Sequence, residues 1–509
     1  MLSIGEKLLE LNNFITHLSA KESISIDEAK LQNIRSNFSF LEKFAKDKVI
    51  YGINTGFGPM AQYKISDEDR VQLQYNLIRS HCSGTGAMLP PLFVRAAMIA
   101  RLNSLIQARS GIHEELVLLL KDLLNHQVTP VVYEHGGVGA SGDLVQLAHL
   151  SLCLIGEGKV HYKGEILPAS QVFQQLQLKP LAIHIREGLA IMNGTSFMTG
   201  IALVNLIQAK KVLHWAVVAT SLITEITESY DDFFSIELNE VKWHKGQNNI
   251  AKKIREQVSG SQLVKSRTKH LYKKVDDPVF EEKVQEYYSI RCVPQILGPV
   301  EDTLELAEKL VVEELNSVND NPIVNHEVEN VFHGGNFHGD YVSLEMDKVK
   351  IAIAKLAMLS ERQLNYLMNH RINEKLPPFL NKGVLGLNFG FQGVQFTATS
   401  TTAEIQTLSY PMYLHSIPNN NDNQDIVSMG TNAALICNKV IDNASQVLAI
   451  ELMALVQAID ILNIKEKLSK ANQQVINQLQ QTFQAFTDDQ PQYEKIQQVK
   501  DLCFLSTGF

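Results

Sequence analysis

Apolar residues recur at helical spacing along most of the chain, and four of these stretches are unusually long. In each of the four, the apolar positions cover more than one face, which indicates helices buried between neighbours in a large bundle. A wide apolar surface left in water would aggregate, so we expect the bundle to include partner subunits. The pattern therefore predicts a mainly α fold whose long helices span residues 195–230, 299–316, 344–369 and 430–462.

Shorter patterns precede the first long helix. Helical spacing predicts helices over residues 27–44, 91–107, 114–125 and 144–154. Apolar runs predict short strands at 49–51 and 131–133, and a small hairpin over 160–166. The polar, amphipathic segment after Lys465 predicts a surface helix, a short loop and a last helix. We therefore expect a smaller N-terminal domain over residues 1–195, and a long-helix bundle with C-terminal helices over 196–509.

The composition is that of an ordinary soluble globular protein, with 45% hydrophobic and 20% charged residues. A length of 509 residues suggests two or three domains and is ample for a large core. The net charge of -9 argues against nucleic acid or an anionic membrane as the main partner, so we expect a small-molecule ligand. No apolar stretch runs uninterrupted for long enough to span a bilayer.

The cysteines and the N-terminus bear on the cellular compartment. The cysteines are scattered, odd in number and never spaced as metal pairs, which is typical of free thiols in a reducing cytosol. The N-terminus has no basic start followed by an apolar run, so we expect no secretion signal and a cytoplasmic location. His113, Glu114 and Glu115 lack the second histidine of a zinc-binding helix, and we expect no metal.

The Gly-rich stretch at residues 136–144, GGVGASGDL, has the most distinctive chemistry. A backbone rich in glycine reaches conformations closed to other residues, so a tight bend can press the amide nitrogen of Gly142 towards the carbonyl carbon of Ala140. If this nitrogen attacks and two water molecules leave, the second from the Ser141 side chain, a five-membered imidazolone with an exocyclic methylene results. Such a group is a strong electrophile made from the chain itself.

Three other interpretations of this stretch can be weighed. Gly137, Gly139 and Gly142 fit the dinucleotide-binding fingerprint between a strand-like run and a helix, although the rest of the chain lacks alternating strands and helices. A nucleophile elbow fails, because Asp143 stands where its last glycine should be. Ser141 and Asp143 could also simply cap the helix that follows.

Polar clusters between the helices offer further candidates, each with a simpler structural alternative. The Gly-punctuated loop at residues 51–59 could be a mobile lid that holds Tyr51 over a pocket, or a plain turn. Asn193 could hold an amino-acid carboxylate or cap the helix after it. Tyr288 and Arg291 are three residues apart, hence on one side of a helical turn, and arginine suits a carboxylate as well as a surface salt bridge. Polar loops that could be simple turns lie at residues 317–322, 334–339 and 419–425.

Considered together, these motifs resemble the signatures of the aromatic amino acid and histidine ammonia-lyase family. They occur in that family's order and cover the chain from about residue 20 to its end, and the central motif is highly specific. The motifs are GASGDL at 139–144, YGINTGFG at 51–58, NGT at 193–195, YSIR at 288–291, NDNP at 319–322 and GNFH at 335–338.

The resemblance implies a fold, an assembly and a cofactor. It implies the ammonia-lyase/fumarase-like helical fold, in which the smaller N-terminal domain bears the electrophile. It also implies a homotetramer whose active sites each take residues from three subunits. Finally, it implies that Ala140, Ser141 and Gly142 cyclise spontaneously to 4-methylideneimidazol-5-one (MIO), so that no external cofactor is needed.

The implied reaction is the loss of ammonia from an α-amino acid. The β-proton is hardly acidic and the amine is a poor leaving group, so an ordinary acid-base pair is not enough. The methylene can take up the amine or, alternatively, be attacked by the substrate ring. Nearby amides and the helix N-terminus at Leu144 would stabilise the negative charge. By resemblance, Tyr51 takes the β-proton, and Arg291 with Asn319 binds the carboxylate.

The resemblance also assigns site residues by motif. The catalytic residues that it implies are Tyr51, Ala140, Ser141, Gly142 and Tyr288. The substrate-binding residues that it implies are Gly58, Ser80, His81, Asn193, Gln285, Arg291, Asn319, Phe337, Asn423 and Gln424. We expect these side chains to surround the electrophile and the substrate.

Two selector positions disagree about the substrate. Ser80 and His81 resemble the pair of the histidine enzymes. Gln424 instead resembles the phenylalanine and tyrosine enzymes, because the histidine enzymes place a glutamate there. An imidazole N–H is best held by a carboxylate, so Gln424 favours another aromatic substrate, and His81 can bind a phenol hydroxyl. We therefore expect conversion of L-tyrosine to trans-4-coumarate and ammonia, with L-phenylalanine a poorer substrate, as in the bacterial tyrosine ammonia-lyases.

Three alternatives remain open at this point. The chain could deaminate L-histidine to urocanate. It could be an aminomutase, which returns ammonia to the β-carbon and shares every motif. It could also be a catalytically inactive helical scaffold.

Overall fold

The computed structural model describes residues 2–19, 22–46, 48–272, 278–280 and 283–505, and helices predominate in it. The elements before residue 196 are β1 (Leu2–Ile4), α1 (Leu11–Leu18), β2 (Ile24–Ile26), α2 (Glu28–Phe44), α3 (Arg70–His81), β3 (Thr85–Met88), α4 (Pro91–Leu105), α5 (Glu114–Asn125), β4 (Thr129–Pro130), β5 (Tyr133–His135), α6 (Leu144–Leu154), β6 (Lys159–Tyr162), β7 (Glu165–Pro168), α7 (Ala169–Leu176) and α8 (Glu187–Met192). The elements that follow are α9 (Ser196–Ile226), α10 (Ile236–Glu240), α11 (Lys245–Gln257), α12 (Arg267–His270), α13 (Tyr288–Arg291), α14 (Val293–Leu315), β8 (Ile323–Asn325), β9 (Asn330–Phe332), α15 (Asp340–Met368), α16 (His370–Asn373), α17 (Gln392–Leu408), α18 (Gly430–Leu462), α19 (Lys470–Gln480) and α20 (Tyr493–Lys500).

The long helices form the predicted bundle. Helices α9, α15 and α18 pack against one another, and α14 packs against α9 and α15. Every residue of α18 from 447 to 459 is buried, so this helix is covered on all sides. Its polar residues have internal partners: the Gln457 amide, for example, donates to the Phe486 carbonyl at 2.8 Å and accepts the Phe486 N–H at 3.0 Å. The predicted mainly α fold is confirmed.

Two of these helices are long and apolar enough to cross a membrane by length and composition alone. They are α9 and α18, and in each of them 78% of the most apolar window is buried inside the protein. Neither helix is an uninterrupted apolar run, because charged residues such as Lys210 in α9 and Glu451 in α18 lie within them. Their burial explains their composition, because a helix surrounded by other helices needs apolar residues on every face.

The strands form only small sheets in the part of the chain that the structure describes. β1 pairs with β2 in parallel, and the antiparallel pairings are β3 with β5, β4 with β6, β6 with β7, and β8 with β9. The predicted hairpin over residues 160–166 is the β6–β7 pair. A dinucleotide-binding fold needs a wide parallel sheet covered by helices. These sheets therefore exclude the dinucleotide interpretation of the Gly-rich stretch.

Two predicted strands are wrong. Residues 49–51 are not a strand but lead into a turn that begins at Tyr51, and the Asn54 side chain accepts the Ile50 N–H at 2.9 Å and donates to the Lys48 carbonyl at 2.7 Å. These bonds satisfy the backbone groups that a strand would have paired. The run at 131–133 is not one strand: β4 ends at Pro130, residues 131 and 132 lie between strands, and only Tyr133 belongs to β5, which pairs with β3.

The N-terminal part and the bundle share one hydrophobic core. α4 packs against α9, and a single cluster of buried apolar residues extends from Ile4 to Phe504. The division of the chain at residue 195 remains a prediction.

Candidate active site

The Gly-rich loop before α6 is pressed against the turn that precedes α9. Gly142 has a φ of +69°, and a Cβ atom on it would lie 2.0 Å from the Gly194 carbonyl oxygen. The Asp143 N–H donates to the same oxygen at 2.8 Å. Only glycine at position 142 permits both the left-handed backbone and this approach. The loop and the Asn193 turn are thus held in one arrangement.

Four helices begin around this loop. α6 begins directly after it, and the Gly139 carbonyl accepts the N–H of Gly339, the residue before α15, at 3.2 Å. The Asp143 carboxylate accepts the N–H of Met198 in the first turn of α9 at 2.9 Å. It also accepts the hydroxyl of Thr431 in the first turn of α18, at 2.5 Å. The positive ends of α6, α9, α15 and α18 therefore converge here, which favours negative charge.

The Asp143 side chain does not cap α6, which corrects that part of the capping interpretation. Asp143 stands at the N-cap position of α6 but makes no side-chain hydrogen bond to that helix. It joins α9 to α18 instead. Burial raises the pKa of the Asp143 carboxyl to about 6, and the hydrogen bonds from Thr431 and Met198 oppose that rise.

Two amide side chains hold the central tripeptide. The Asn193 Nδ2 donates to the Ser141 carbonyl oxygen at 3.1 Å, and the Gln424 Nε2 donates to the Ser141 Oγ at 2.8 Å. Ala140 is buried and packs against Val427 and Met429. The tripeptide thus has a backbone held by hydrogen bonds, a buried first residue and a serine hydroxyl bound by a side-chain amide.

A cavity of about 710 Å³ lies beside this tripeptide. Its wall is partly apolar, with contributions from Phe57, Leu77, Leu144 and Leu189. The predicted site residues that line it are Tyr51, Gly58, Ser80, His81, Ser141, Asn193, Phe337, Asn423 and Gln424. Ala140 and Gly142 flank Ser141 in the chain. The structure therefore brings these predicted residues together from six separate segments of the sequence.

The loop at residues 51–59 closes one side of this cavity. The phenol oxygen of Tyr51 accepts the N–H of Gly58 at 3.0 Å, and the Phe57 ring contacts the Tyr51 ring edge-on. Gly58 has a φ of +53°, and a Cβ atom on it would lie 2.8 Å from the Asn420 side-chain nitrogen. The loop thus meets the polar loop at residues 419–425 across the cavity.

The His81 ring lines the cavity. Its Nδ1 lies 2.9 Å from the Leu77 carbonyl oxygen and 3.1 Å from the Ser80 Oγ. A carbonyl oxygen only accepts, so Nδ1 carries the proton in the neutral ring, and Nε2 is then an acceptor. This end of the cavity can accept a hydroxyl or N–H proton from a ligand.

Three predicted site residues, Gln285, Tyr288 and Arg291, do not line this cavity. Gln285 and Tyr288 line a separate cavity of about 700 Å³, and the Tyr288 side chain is 69% exposed. Arg291 and Tyr288 are on one side of the short helix α13, as predicted, with the guanidinium 4.6 Å from the centre of the Tyr288 ring. The Arg291 Nε donates to the Glu286 carbonyl at 2.9 Å. In one chain, this group is apart from the 710 Å³ cavity.

Asn319 lies behind the Asn193 turn and is buried. Its Oδ1 accepts the Arg101 guanidinium at 3.2 Å, and its Nδ2 lies 3.5 Å from the Glu314 carboxylate. Burial raises the pKa of Glu314, and hydrogen bonds from Thr195 and Asn319 oppose that rise. Asn319 is therefore part of the structure that supports the turn.

Arg101 is the important residue that sequence reasoning missed. It is fully buried, and its guanidinium donates to the carbonyls of Ala190 and Asn193, the latter at 2.9 Å. Burial lowers the pKa of Arg101 to about 10. The signal in the sequence was an arginine within a largely apolar helical stretch, since an unpaired charge there is costly and must have partners.

These features describe a helical protein in which the tripeptide at residues 140–142 lies beside a cavity with aromatic and polar side chains in its wall. The family model described as "Aromatic amino acid lyase" matches residues 9–481, and the chain belongs to this family. The resemblance stated from the motifs is thereby confirmed. Membership makes the chain an aromatic amino acid ammonia-lyase or aminomutase, and aromatic amino acids are its substrates.

The relatives that match this chain differ in the reaction and in the substrate that their names give. A tyrosine 2,3-aminomutase of Chondromyces crocatus is 39% identical and covers 94% of this chain and 92% of its own length. A tyrosine ammonia-lyase of Cereibacter sphaeroides is 39% identical over 88% of this chain and 86% of its own length. Histidine ammonia-lyase 1 of Fusobacterium nucleatum is 36% identical over 98% of this chain and 95% of its own length. The crystal structure of tyrosine aminomutase from Streptomyces globisporus matches with a TM-score of 0.94 at 33% identity, covering 99% of this chain and 97% of that one.

Proposed function

We propose that the protein converts L-tyrosine to trans-4-coumarate and ammonia. The observation that carries this proposal is that His81 and Gln424 both line the same cavity. The His81 Nε2 is an acceptor suited to a phenol O–H, and phenylalanine would leave it unpaired. Gln424 supplies a neutral amide where a carboxylate would favour an imidazole substrate. L-phenylalanine is accordingly the poorer substrate.

The tripeptide fits the MIO group that the family implies. The positive φ of Gly142 and its contact with Gly194 exclude any side chain there, and Ala140 is buried. In the cyclised product the Ser141 carbonyl becomes the oxygen on the imidazolone ring, and this oxygen already accepts the Asn193 amide. When formed from residues 140–142, MIO supplies an electrophile that draws electrons from the amino acid.

The surrounding residues then have separate tasks. Tyr51 removes the β-proton, and the Gly58 N–H, which donates to its phenol oxygen at 3.0 Å, positions this base. Asn193 and the converging helix N-termini stabilise negative charge at the Ser141 carbonyl. The loop at residues 51–59 covers the cavity and excludes water.

The substrate carboxylate requires a second copy of the chain. We place Arg291, Gln285 and Tyr288 of neighbouring subunits at the open side of the cavity, in a homotetramer with sites built from three subunits. The support is that one chain holds these residues in a separate, solvent-exposed group. The planar guanidinium of Arg291 binds both carboxylate oxygens. The proposed location is the cytoplasm.

Product analysis tests this function. Purified protein is incubated in parallel with L-tyrosine, L-phenylalanine and L-histidine, and the products and free ammonia are quantified. We expect coumarate and ammonia in equal amounts, and the highest kcat/KM with tyrosine. Urocanate as the main product would replace this proposal with histidine deamination, for which Ser80 and His81 provide the sequence support.

The cofactor has its own test. The intact mass of the chain should be lower than the sequence mass by two water molecules. Ser141→Ala should retain the full mass and lose activity. Activity in a chain of unmodified mass would contradict an MIO mechanism.

A tyrosine aminomutase is the second candidate. Its support is the 39% identity to the Chondromyces crocatus tyrosine 2,3-aminomutase over 94% of this chain. The two reactions differ in whether ammonia leaves or returns to the β-carbon. β-Tyrosine as the main product, with little free ammonia, would favour the aminomutase.

A further inference from the structure

Outside the active-site cavity, three potential metal ligands lie together. His113 precedes α5, Glu115 is in the first turn of α5, and His184 lies three residues before α8. One ligand atom from each lies within 4.8 Å of the other two. We propose that these three side chains bind a divalent transition-metal ion of the zinc type.

The donor set has the right chemistry for such an ion. Two imidazoles and one carboxylate are a set with which proteins bind Zn²⁺ while leaving one position to water. At metal–ligand distances of about 2.0–2.2 Å, tetrahedral ligand atoms lie about 3.4 Å apart. The His113 Nδ1 and the Glu115 Oε2 are already 3.8 Å apart. The Glu115 side chain is 61% exposed, so rotation about its own bonds can bring its carboxylate oxygen to the distance that a shared metal ion requires.

The backbone holds the two histidines in place. The buried carboxylate of Glu187 accepts the His113 N–H through Oε1 and the His184 N–H through Oε2, both at 2.7 Å. The imidazole centres are 4.7 Å apart, and Phe38 contacts both rings edge-on. None of these contacts uses a ring nitrogen. Preorganisation of this kind lowers the cost of bringing ligands together.

The ring nitrogens remain available for a metal. Among the residues that the structure describes, the one hydrogen bond to a ring nitrogen of this pair is a long one, 3.4 Å, from the Glu115 N–H to His113 Nδ1. The sequence alone did not reveal this set, because its second histidine comes from a distant segment. The second histidine, which residues 113–115 lack, is His184, and only the fold brings it close to them.

A metal here would act on the active site through α8. Glu187 begins α8, and this helix ends at Met192, directly before Asn193. A bound ion would tie the start of α8 to the start of α5, and would thereby brace the turn that carries Asn193. We expect a gain in stability rather than a new chemical step.

Metal titration tests the proposal. Untagged full-length protein is stripped with a chelator, titrated with Zn²⁺ in a calorimeter, and melted with and without Zn²⁺. We expect one Zn²⁺ per chain and a higher melting temperature with the metal. Glu115→Gln, at an exposed position, should fold normally and weaken binding about 10–100-fold, and His184→Ala should weaken it further.

The matched control is His126→Ala, which removes an exposed histidine at the other end of α5. It should leave the affinity and the shift in melting temperature unchanged. Wild-type protein that binds no Zn²⁺ would overturn the proposal. Binding that Glu115→Gln leaves unchanged would also overturn it, and this outcome can be read even if His184→Ala fails to fold.

Discussion

At the scale of single residues, the support behind the Asn193 turn is as important as the groups that face the cavity. The side chain of Asn193 donates a hydrogen bond to Ser141 of the central tripeptide, and its backbone carbonyl accepts one from a buried side chain. The residue that holds it is Arg101, whose planar guanidinium reaches three acceptors from one buried position. A group that reaches several acceptors in fixed directions positions them relative to one another.

Arg101→Lys should lower kcat more than it raises KM. An ammonium group cannot span the carbonyls of Ala190 and Asn193 together with the Asn319 side chain, so the Asn193 turn loses its support. Each buried acceptor left unpaired costs about 1–3 kcal/mol of the free energy of unfolding. Steady-state kinetics and denaturant titration measure the two effects separately.

Arg95→Lys is the control for Arg101→Lys. Arg95 is another buried arginine of α4, but its guanidinium donates to the carbonyls of His17, Leu18 and Leu124, which do not line the active-site cavity. We expect it to lose stability and to keep kcat near the wild-type value. An equal loss of kcat in both variants would mean that Arg101 acts only through stability.

Gln424→Glu should shift the substrate preference from tyrosine towards histidine. A carboxylate at this position accepts an imidazole N–H, and a hydrogen bond to a charged group contributes about 1.5–3 kcal/mol, or about 10–100-fold in the ratio of kcat/KM values. Glutamate cannot donate to the Ser141 hydroxyl as Gln424 does. The intact mass of the variant must therefore be measured first, to establish that residues 140–142 still lose two water molecules.

Asn420→Asp controls for added negative charge, since Asn420 also lines the cavity. This variant should leave the ratio of kcat/KM for histidine and tyrosine nearly unchanged. If both variants change the ratio equally, charge in the cavity rather than a specific contact at position 424 decides the substrate.

At the scale of elements, periodicity predicted the bounds of those helices in which buried apolar residues recur at helical spacing from end to end. Helices α5, α6 and α18 begin and end at the residues that the sequence predicted. Helix α14 begins at Val293, six residues before the predicted start, because Pro299 is accommodated inside the helix and does not begin it. Such an interior proline depends on tertiary packing, which single-sequence patterns do not contain.

Helix α17 was missed altogether. Its sequence is rich in threonine, whose intrinsic helix preference is low, and has a glycine in its first turn. Its buried residues Val394, Ala398, Thr401 and Ile405 nevertheless recur at helical spacing. The helix therefore depends on its packing against α15 and α18.

The contact between α15 and α18 contains a carboxyl group that makes stability depend on pH. The Glu451 carboxyl of α18 accepts the Ser360 hydroxyl of α15 at 2.5 Å, and burial raises its pKa from 4.5 to about 8. Between these values the folded chain binds more protons than the unfolded chain, so the free energy of unfolding falls as the pH rises. One such group contributes a slope of about 1.4 kcal/mol per pH unit in that window, and none above it.

Glu451→Gln should remove this slope. The amide keeps the size of the side chain and can still accept the Ser360 hydroxyl, but it does not titrate. The wild-type free energy of unfolding minus that of the variant should fall steadily between about pH 5 and pH 8 and then level off. Denaturant titration across this range measures it. The exposed Glu466→Gln should give a flat difference, and a flat difference for Glu451→Gln as well would contradict the prediction.

At the scale of the whole molecule, the predicted site residues form two groups that one chain does not bring together. Tyr51, Ser141 and Gln424 border one cavity, whereas Gln285 and Tyr288 border another. The motifs could identify these residues because each has a recognisable local sequence. Residues such as Arg101 have no such motif, since their partners are set by folding alone. The motifs also carry no information about which copy of the chain supplies which group.

Mixing two inactive variants tests whether the two groups meet between subunits. In the proposed tetramer, Tyr51→Phe removes the proposed base and Tyr288→Phe removes a hydroxyl from the exposed group. Each variant alone should therefore have very low activity with tyrosine. If the chains are unfolded together and refolded as mixed tetramers, some sites receive Tyr51 from one variant and Tyr288 from the other. With random assembly this applies to about a quarter of the sites, so about a quarter of wild-type activity should return. Separately refolded variants, mixed afterwards, are the control and should stay inactive. No recovery in verified mixed tetramers would mean that both tyrosines of a site come from the same chain.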